Sequence, residues 1–247
     1  MTGFARLLRM EAKLLVRDRA LLPIALGLPV GLLLIFGLPP ASREASPQLG
    51  GLRGIDTVLP SMAVAVALGV LAFFTIPNNL GIYREKGILR RLSTTPANPA
   101  GLLAAQLLVN LAVALVAVAL VIGVGVAFLD MRTPGHVPGF VAAIVLGTAA
   151  LFSLGLLVAA VAPTARVAQG VGMILFFPSM FFAGLYLPKE SMPRALARIG
   201  DFTPLGAFRQ TLQDAWAGVA PRPLQLLFLA GVTAALGALA ARTFRWD

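Results

Sequence analysis

Along most of this chain the hydrophobic positions do not alternate with polar ones but run on without a break. Six apolar stretches without a charged residue stand out, at 21–38, 57–83, 99–129, 139–162, 167–187 and 224–241. Each approaches or exceeds the roughly 20 residues an α-helix needs to cross hydrocarbon. Only helices and closed β-barrels satisfy every backbone polar group inside a bilayer. A barrel requires short segments of alternating polarity, and these runs are continuous. The pattern predicts an all-α integral membrane protein with six transmembrane helices, residues 1–247 forming one transmembrane domain.

The segments between the runs carry their own periodicities. Over 2–19, Phe4, Leu7, Leu8, Ala12 and Leu15 share one helical face, and Arg6, Arg9, Lys13 and Arg17 share the opposite one. This is the pattern of a helix lying in the headgroup plane. Glu11 breaks it, falling within the apolar face, and either needs a partner on the bundle or serves a contact that the sequence does not identify. A cleaved signal peptide also joins basic residues to an apolar run, but its apolar core spans only about 7–15 residues. The first run is therefore read as a span. Asn98 followed by Pro99 is a capped helix start, with proline at the first helical position. Residues 130–138 form a turn, and Pro163 to Arg166 leave room only for a tight hairpin. Residues 188–223 predict a polar outer loop with short helices. Thr203-Pro204 repeats the cap-then-proline start, and Leu205, Phe208, Leu212 and Trp216 then recur on one face, as in a short helix half-sunk in the interface.

Composition agrees and adds an orientation. Of 247 residues, 58% are hydrophobic and 12% charged, and the mean hydropathy is +0.89; soluble domains carry about a quarter charged residues. Six spans put both termini on one side. Twelve Lys and Arg then lie in the segments on that side and eight, more widely spread, in the others. The positive-inside rule makes the termini cytoplasmic. The net charge of +10 is accounted for by basic residues held against anionic lipid headgroups, which makes membrane lipids the expected partners and leaves no basic module for nucleic acid.

Several chemistries are missing. The chain has no Cys and one His, His136, which excludes thiolate metal sites and zinc sites built on two histidines. A P-loop requires Gly-Lys-Ser/Thr, and none of Lys13, Lys86 and Lys189 follows a glycine. An ion-coupled carrier commonly keeps a charged side chain inside the membrane, and the six runs hold none. His136, beside Gly135 and Pro138, reads as a turn residue and not as a protease base. Any transport must draw its energy from elsewhere.

The segment 84–96 then becomes the most informative part of the chain. Its basic residues alone would suit a solvated loop. However, Glu85 has Gly81, Ile82, Ile88 and Leu89 at its i±3 and i±4 positions, so its own helix offers it no ion pair. Ile88, Leu89 and Leu92 add apolar knobs of the kind that dock in a partner's groove. The run Arg84-Glu85-Lys86-Gly87 through Leu92-Ser93-Thr94-Thr95-Pro96 resembles the loop of type-2 ABC transporter permeases, the family of the daunorubicin/doxorubicin resistance permeases. Arg17-Asp18-Arg19 is similar to that family's Arg-Asp-Pro, with Arg19 departing from the proline. Pro188, Pro193 and Pro204 resemble its spaced prolines in the last outer loop.

The resemblance implies a permease subunit of an ATP-driven exporter for a hydrophobic or amphipathic compound, multi-pass in a bacterial plasma membrane. It implies a connecting helix over 2–19, with Arg6, Arg9, Lys13 and Arg17 at the headgroups. It implies a coupling segment over 84–96, with Arg84, Glu85, Lys86, Ile88, Leu89 and Arg90 touching an ATPase. Two permease chains, alike or merely related, would pair above two ATPase subunits. ATP and Mg2+ would be used by those subunits, and this chain would bind no cofactor. The aromatic residues Phe73 and Phe74 on the second span and Phe177 and Phe181 on the fifth, with Asn110, are candidates for the substrate pathway. The alternatives are a carrier that acts without an ATPase and a membrane assembly protein that transports nothing.

Overall fold

A computed structural model of the chain describes residues 3–17, 21–88, 99–187, 189 and 192–244. Helix α1 (Gly3–Arg17) precedes α2 (Leu21–Gly37), and the second span runs from α3 (Val58–Val70) through a π turn (Leu71–Thr75) into α4 (Ile76–Glu85). Then follow α5 (Pro99–Leu129), α6 (Val137–Val161) and α7 (Ala165–Phe182), two short helices α8 (Arg194–Asp201) and α9 (Pro204–Trp216), and α10 (Pro223–Thr243). Among the described residues five helical runs are long and apolar enough to cross a membrane, six if α1 and α2 count as one bent span. The chain is an all-α integral membrane protein. The end of the bundle carrying α1 is called here the basic end, and the opposite one the far end.

Why the spans stop where they do is local chemistry. The fifth apolar run extends to Leu187, yet α7 ends at Phe182. Gly184 takes a φ of +79°, its N–H donates to the Phe181 carbonyl (2.9 Å), and the Leu185 N–H donates to that of Met180 (3.0 Å). This is the glycine-terminated cap that closes helices. The second span, expected to end at Tyr83, continues to Glu85.

That second span is the axis of the fold. Val64, Leu68, Leu71, Phe73, Ile76 and Leu80 along it are buried, and α2, α5, α6, α7 and α9 all pack on it. In hydrocarbon, helices associate by close backbone approach at small residues. A β-carbon at Gly155 on α6 would lie 2.3 Å from the Ala72 carbonyl oxygen, and one at Gly172 on α7 would lie 2.2 Å from that of Phe73. Both carbonyls belong to the π turn, whose wider ring disturbs the regular bonding. An unbroken apolar run carries no mark of such a turn.

At the far end, Asp56 is buried and ties two loops together. It pairs with Arg53 (2.6 Å) and accepts from the Arg132 N–H (2.8 Å), while Arg53 also donates to the Asp130 carbonyl (2.8 Å). The 45–53 loop closes as a two-stranded antiparallel ribbon pairing Ala45 with Arg53 and Ser46 with Leu52.

Helix α9 corrects the sequence reading. Expected half-sunk in the interface, it lodges between α3, α6 and α10 with Leu205, Phe208, Leu212 and Ala215 buried. Its polar positions are also engaged: buried Arg209 donates to the Ala183 carbonyl and to Gln213 Oε1 (2.5 Å). Nearby, Lys189 donates to Asp201 (2.6 Å), and burial pushes its pKa below the ordinary lysine value, with the Asp201 bond opposing.

Two substitutions separate backbone packing from span hydrophobicity. Gly155→Ile, which must push α6 off the π turn, should destabilise the detergent-solubilised chain by about 1–3 kcal/mol, the usual range for overpacking. Gly170→Ala, where nothing lies within 4 Å, should leave the thermal unfolding midpoint unchanged.

Candidate functional site

The basic end of the second span is where charge, helix ends and hairpin meet. Helix α4 closes because Gly87 takes a φ of +63°; the Lys86 N–H donates to the Ile82 carbonyl (3.0 Å) and the Gly87 N–H to that of Arg84 (2.9 Å). This leaves Arg84 and Glu85 in the last turn, beside the hairpin at which α6 ends and α7 begins. Terminal carbonyls of α6 and first N–H groups of α7 have no partner within their own helices. The Arg84 guanidinium donates to the carbonyls of Ala159 (3.0 Å) and Ala162. Glu85 Oε1 accepts from the Ala165 N–H (2.9 Å).

Each charge has the sign its helix end favours: a cation on the negative end of α6, an anion on the positive end of α7. The helices also touch here, since a β-carbon at Gly81 would lie 2.6 Å from Ala165 Cα. One turn further in, Gln169 on α7 donates to Asn78 on α4 (2.9 Å). Arg84 additionally sits over the Phe244 ring, 5.6 Å from its centroid, within cation–π reach. Arg84 and Glu85 therefore clamp the second span to the α6–α7 hairpin.

This changes the sequence reading of the segment 84–96. Glu85 finds no ion pair on its own helix, yet its carboxylate is engaged across the bundle, so it is not the unsatisfied charge that argued for docking. Arg84 and Glu85 belong to the span itself and not to a separate short helix. Lys86 is exposed and Ile88 packs against the core. Leu89, Arg90 and the Leu92–Pro96 part of the motif lie outside the described residues, as do Asp18, Arg19 and Pro188.

On α1, Arg6, Arg9, Lys13 and Arg17 are exposed, while Leu7 and Leu15 pack on the core. Glu11 is buried, and the Tyr83 hydroxyl donates to its carboxylate (2.8 and 2.9 Å to the two oxygens). The misfit in the amphipathic pattern was thus the sign of a real contact, although nothing in the sequence names its partner.

The residues proposed for the pathway divide among four environments. Phe74 and Phe177 line an apolar groove of about 550 Å3 between α2, the second span and α7, with Leu28, Val70, Met173 and Met180. Phe73 does not face it. It is 1% exposed, lies within the π turn and packs at a tilt on Phe176, with ring centroids 5.7 Å apart. Phe181 lies outside the groove lining and packs on Phe182 at 5.6 Å. Asn110 lines a different cavity, at the basic end beside Glu11. Gly27 and Gly31, spaced by four on α2, have nothing within 4 Å of an added β-carbon, so neither makes a close approach to another element among the described residues.

Removal of the clamp should be measurable in the isolated chain. Glu85→Ala, which removes the acceptor of the Ala165 N–H while the Thr164 hydroxyl still caps the Val167 N–H, should cost about 0.5–1 kcal/mol of stability, and Glu85→Gln, which still offers an oxygen, less. Chemical denaturation in detergent micelles monitors both; equal effects of the two substitutions would show that the cap is not what Glu85 contributes.

Among the described residues no group of three or more His, Asp or Glu is placed to hold a metal ion, and no nucleotide-binding domain is seen on the chain. No curated protein matches the chain. The family model for the ABC-2 type transporter matches residues 2–215, a stretch that takes in α1, the clamp, the hairpin and the apolar groove. The chain belongs to the ABC-2 type transporter family and is the membrane permease component of an ABC-type transporter.

Proposed function

We propose that this chain is the permease subunit of an ATP-driven exporter that moves a hydrophobic or amphipathic compound out across a bacterial plasma membrane. Permeases of the family normally work with an ATPase partner and dimerise. In the proposed assembly two permease chains stand above two ATPase subunits, which use ATP and Mg2+. The basic end faces the cytoplasm, as the distribution of Lys and Arg requires.

The observation that carries this reading is the clamp. A membrane domain without an engine has to be moved from the side where the engine docks, and linkage requires contacts that differ between two states. Lys86, Ile88, Leu89 and Arg90 form the docking surface for the ATPase. Arg84 and Glu85 pass its displacement on to α6 and α7. Since α7 also supplies Met173, Phe177 and Met180 to the apolar groove, pressure on one elbow reshapes the wall that meets the substrate. An apolar wall with flexible methionines suits a hydrophobic cargo. Phe74 and Phe177 contact that cargo, whereas Phe73 and Phe181 support the packing behind it.

Docking and transmission separate experimentally. Leu89→Ala should weaken co-purification of the ATPase. Glu85→Ala should leave co-purification intact while lowering transport in vesicles about tenfold or more. Full transport by Glu85→Ala removes the clamp from the mechanism, and full transport by both variants removes the elbow. Phe177→Ala should change the order of preference among apolar substrates at unchanged protein level; a uniform loss would assign Phe177 to packing.

A further inference from the structure

The basic end holds a second cavity, which shares only Lys86 with the docking surface proposed above. It encloses about 320 Å3 between α1, α4 and α5, with Glu11, Tyr83, Asn79, Gln106 and Asn110 as its polar lining. Gln106 is 2% and Asn110 1% exposed. Neither oxygen nor nitrogen of the Gln106 amide has a hydrogen-bond partner, and neither has Asn110 Oδ1. Asn110 cannot be reversed to cure this, because its Nδ2 already donates to the Gln106 backbone carbonyl (2.9 Å). The cavity wall therefore contains an amide oxygen that lacks a donor and is buried within the lining. The Glu11 carboxylate adds to the deficit: its two oxygens share the single proton of the Tyr83 hydroxyl.

Buried acceptors without donors cost free energy that a fitting ligand recovers. What these acceptors need is a compact cation with several N–H donors. The rim supplies the opposite requirement, since Lys86 and Arg17 stand at the mouth and both are exposed. Leu14, Leu15, Ile82 and Val109 make up the apolar remainder of the lining, and Leu14 is 48% exposed. An ammonium site inside, two cations at the entrance and an apolar flank on an amphipathic helix describe one kind of molecule.

We propose that this cavity binds the headgroup of an aminophospholipid, with its primary ammonium on Glu11, Gln106 and Asn110 and its phosphate between Lys86 and Arg17. The ammonium donates to the Asn110 and Gln106 oxygens and to Glu11, leaving the Tyr83 hydroxyl in place. A quaternary ammonium has no N–H to donate, so choline lipids are discriminated against although their charge is the same. A lipid seated there joins α1 to the last turn of α4, one residue from the clamp. The site is independent of what the transporter carries.

The test is lipid retention by the purified full-length chain, read by native mass spectrometry. The probes are dioleoyl phosphatidylethanolamine, phosphatidylcholine and phosphatidylglycerol at equal concentration. The ethanolamine lipid should be retained about tenfold better than the choline lipid, the scale of one lost charge-assisted hydrogen bond. Glu11→Gln should abolish that preference without lowering retention of the choline lipid, and Lys86→Ala should weaken retention of both. If Glu11→Gln does not fold, Gln106→Leu with Asn110→Leu, which leaves the Glu11–Tyr83 bond intact, should abolish it too. Equal retention of the ethanolamine and choline lipids by the unaltered chain overturns the proposal. So does a preference for phosphatidylglycerol, which would reduce the site to its basic rim, or a preference for ethanolamine that survives the substitutions. Displacement of the bound lipid by free phosphoethanolamine would assign the cavity to a soluble ligand in place of a lipid.

Discussion

A helix that ends within or beside a bilayer leaves backbone groups without partners, at a cost that grows as water becomes scarce. The arrangement of this protein turns on how three such ends are satisfied. Arg84 takes the last carbonyls of α6, Glu85 takes the first free N–H of α7, and buried Arg209 takes the Ala183 carbonyl at the opposite end of α7. All three charges match the helix dipole they face. Helix α7 is thus held at both ends by side chains from other elements, while much of its length, including Ile174 and Phe177, faces outward.

The consequence for function follows from rigidity. A hairpin capped by its neighbour moves with that neighbour, since sliding would uncover the groups the caps satisfy. The second span is in addition locked to α6 and α7 at mid-height, where Gly155 and Gly172 meet the π-turn carbonyls. Displacement at the basic end is therefore shared by three helices. In the function proposed above, the residues nearest the ATPase need not all touch it to matter: some would dock, and Arg84 and Glu85 would convey.

Much of this was legible in the chain and some was not, for physical reasons. The spans are legible because hydrocarbon imposes length and hydrophobicity on every one of them. Glu11 shows how a single misfit in an amphipathic pattern marks a tertiary contact, but periodicity says nothing about Tyr83, which lies seventy-two residues away. The partners of Glu85 escaped for a related reason. They are backbone groups, which no side-chain pattern records, so a search for ion pairs along the helix made a satisfied carboxylate look free. The π turn and the burial of Phe73 were hidden because every residue around them is apolar. Helix α9 was misplaced because its one-sided apolar pattern does not tell an interfacial helix from one lodged among larger helices.

The central claim is that the end of α4 and the α6–α7 hairpin move as one body, and the absence of Cys from the chain makes it directly measurable. Spin labels on exposed Lys86 and Arg166 report the distance across the clamp, and labels on Arg166 of two paired copies report the opening of the transporter. In the proposed complex of two copies with an ATPase, ATP should change the Arg166-to-Arg166 distance while leaving the Lys86-to-Arg166 distance within a chain unchanged. A change across the clamp as large as the change between copies would contradict the account.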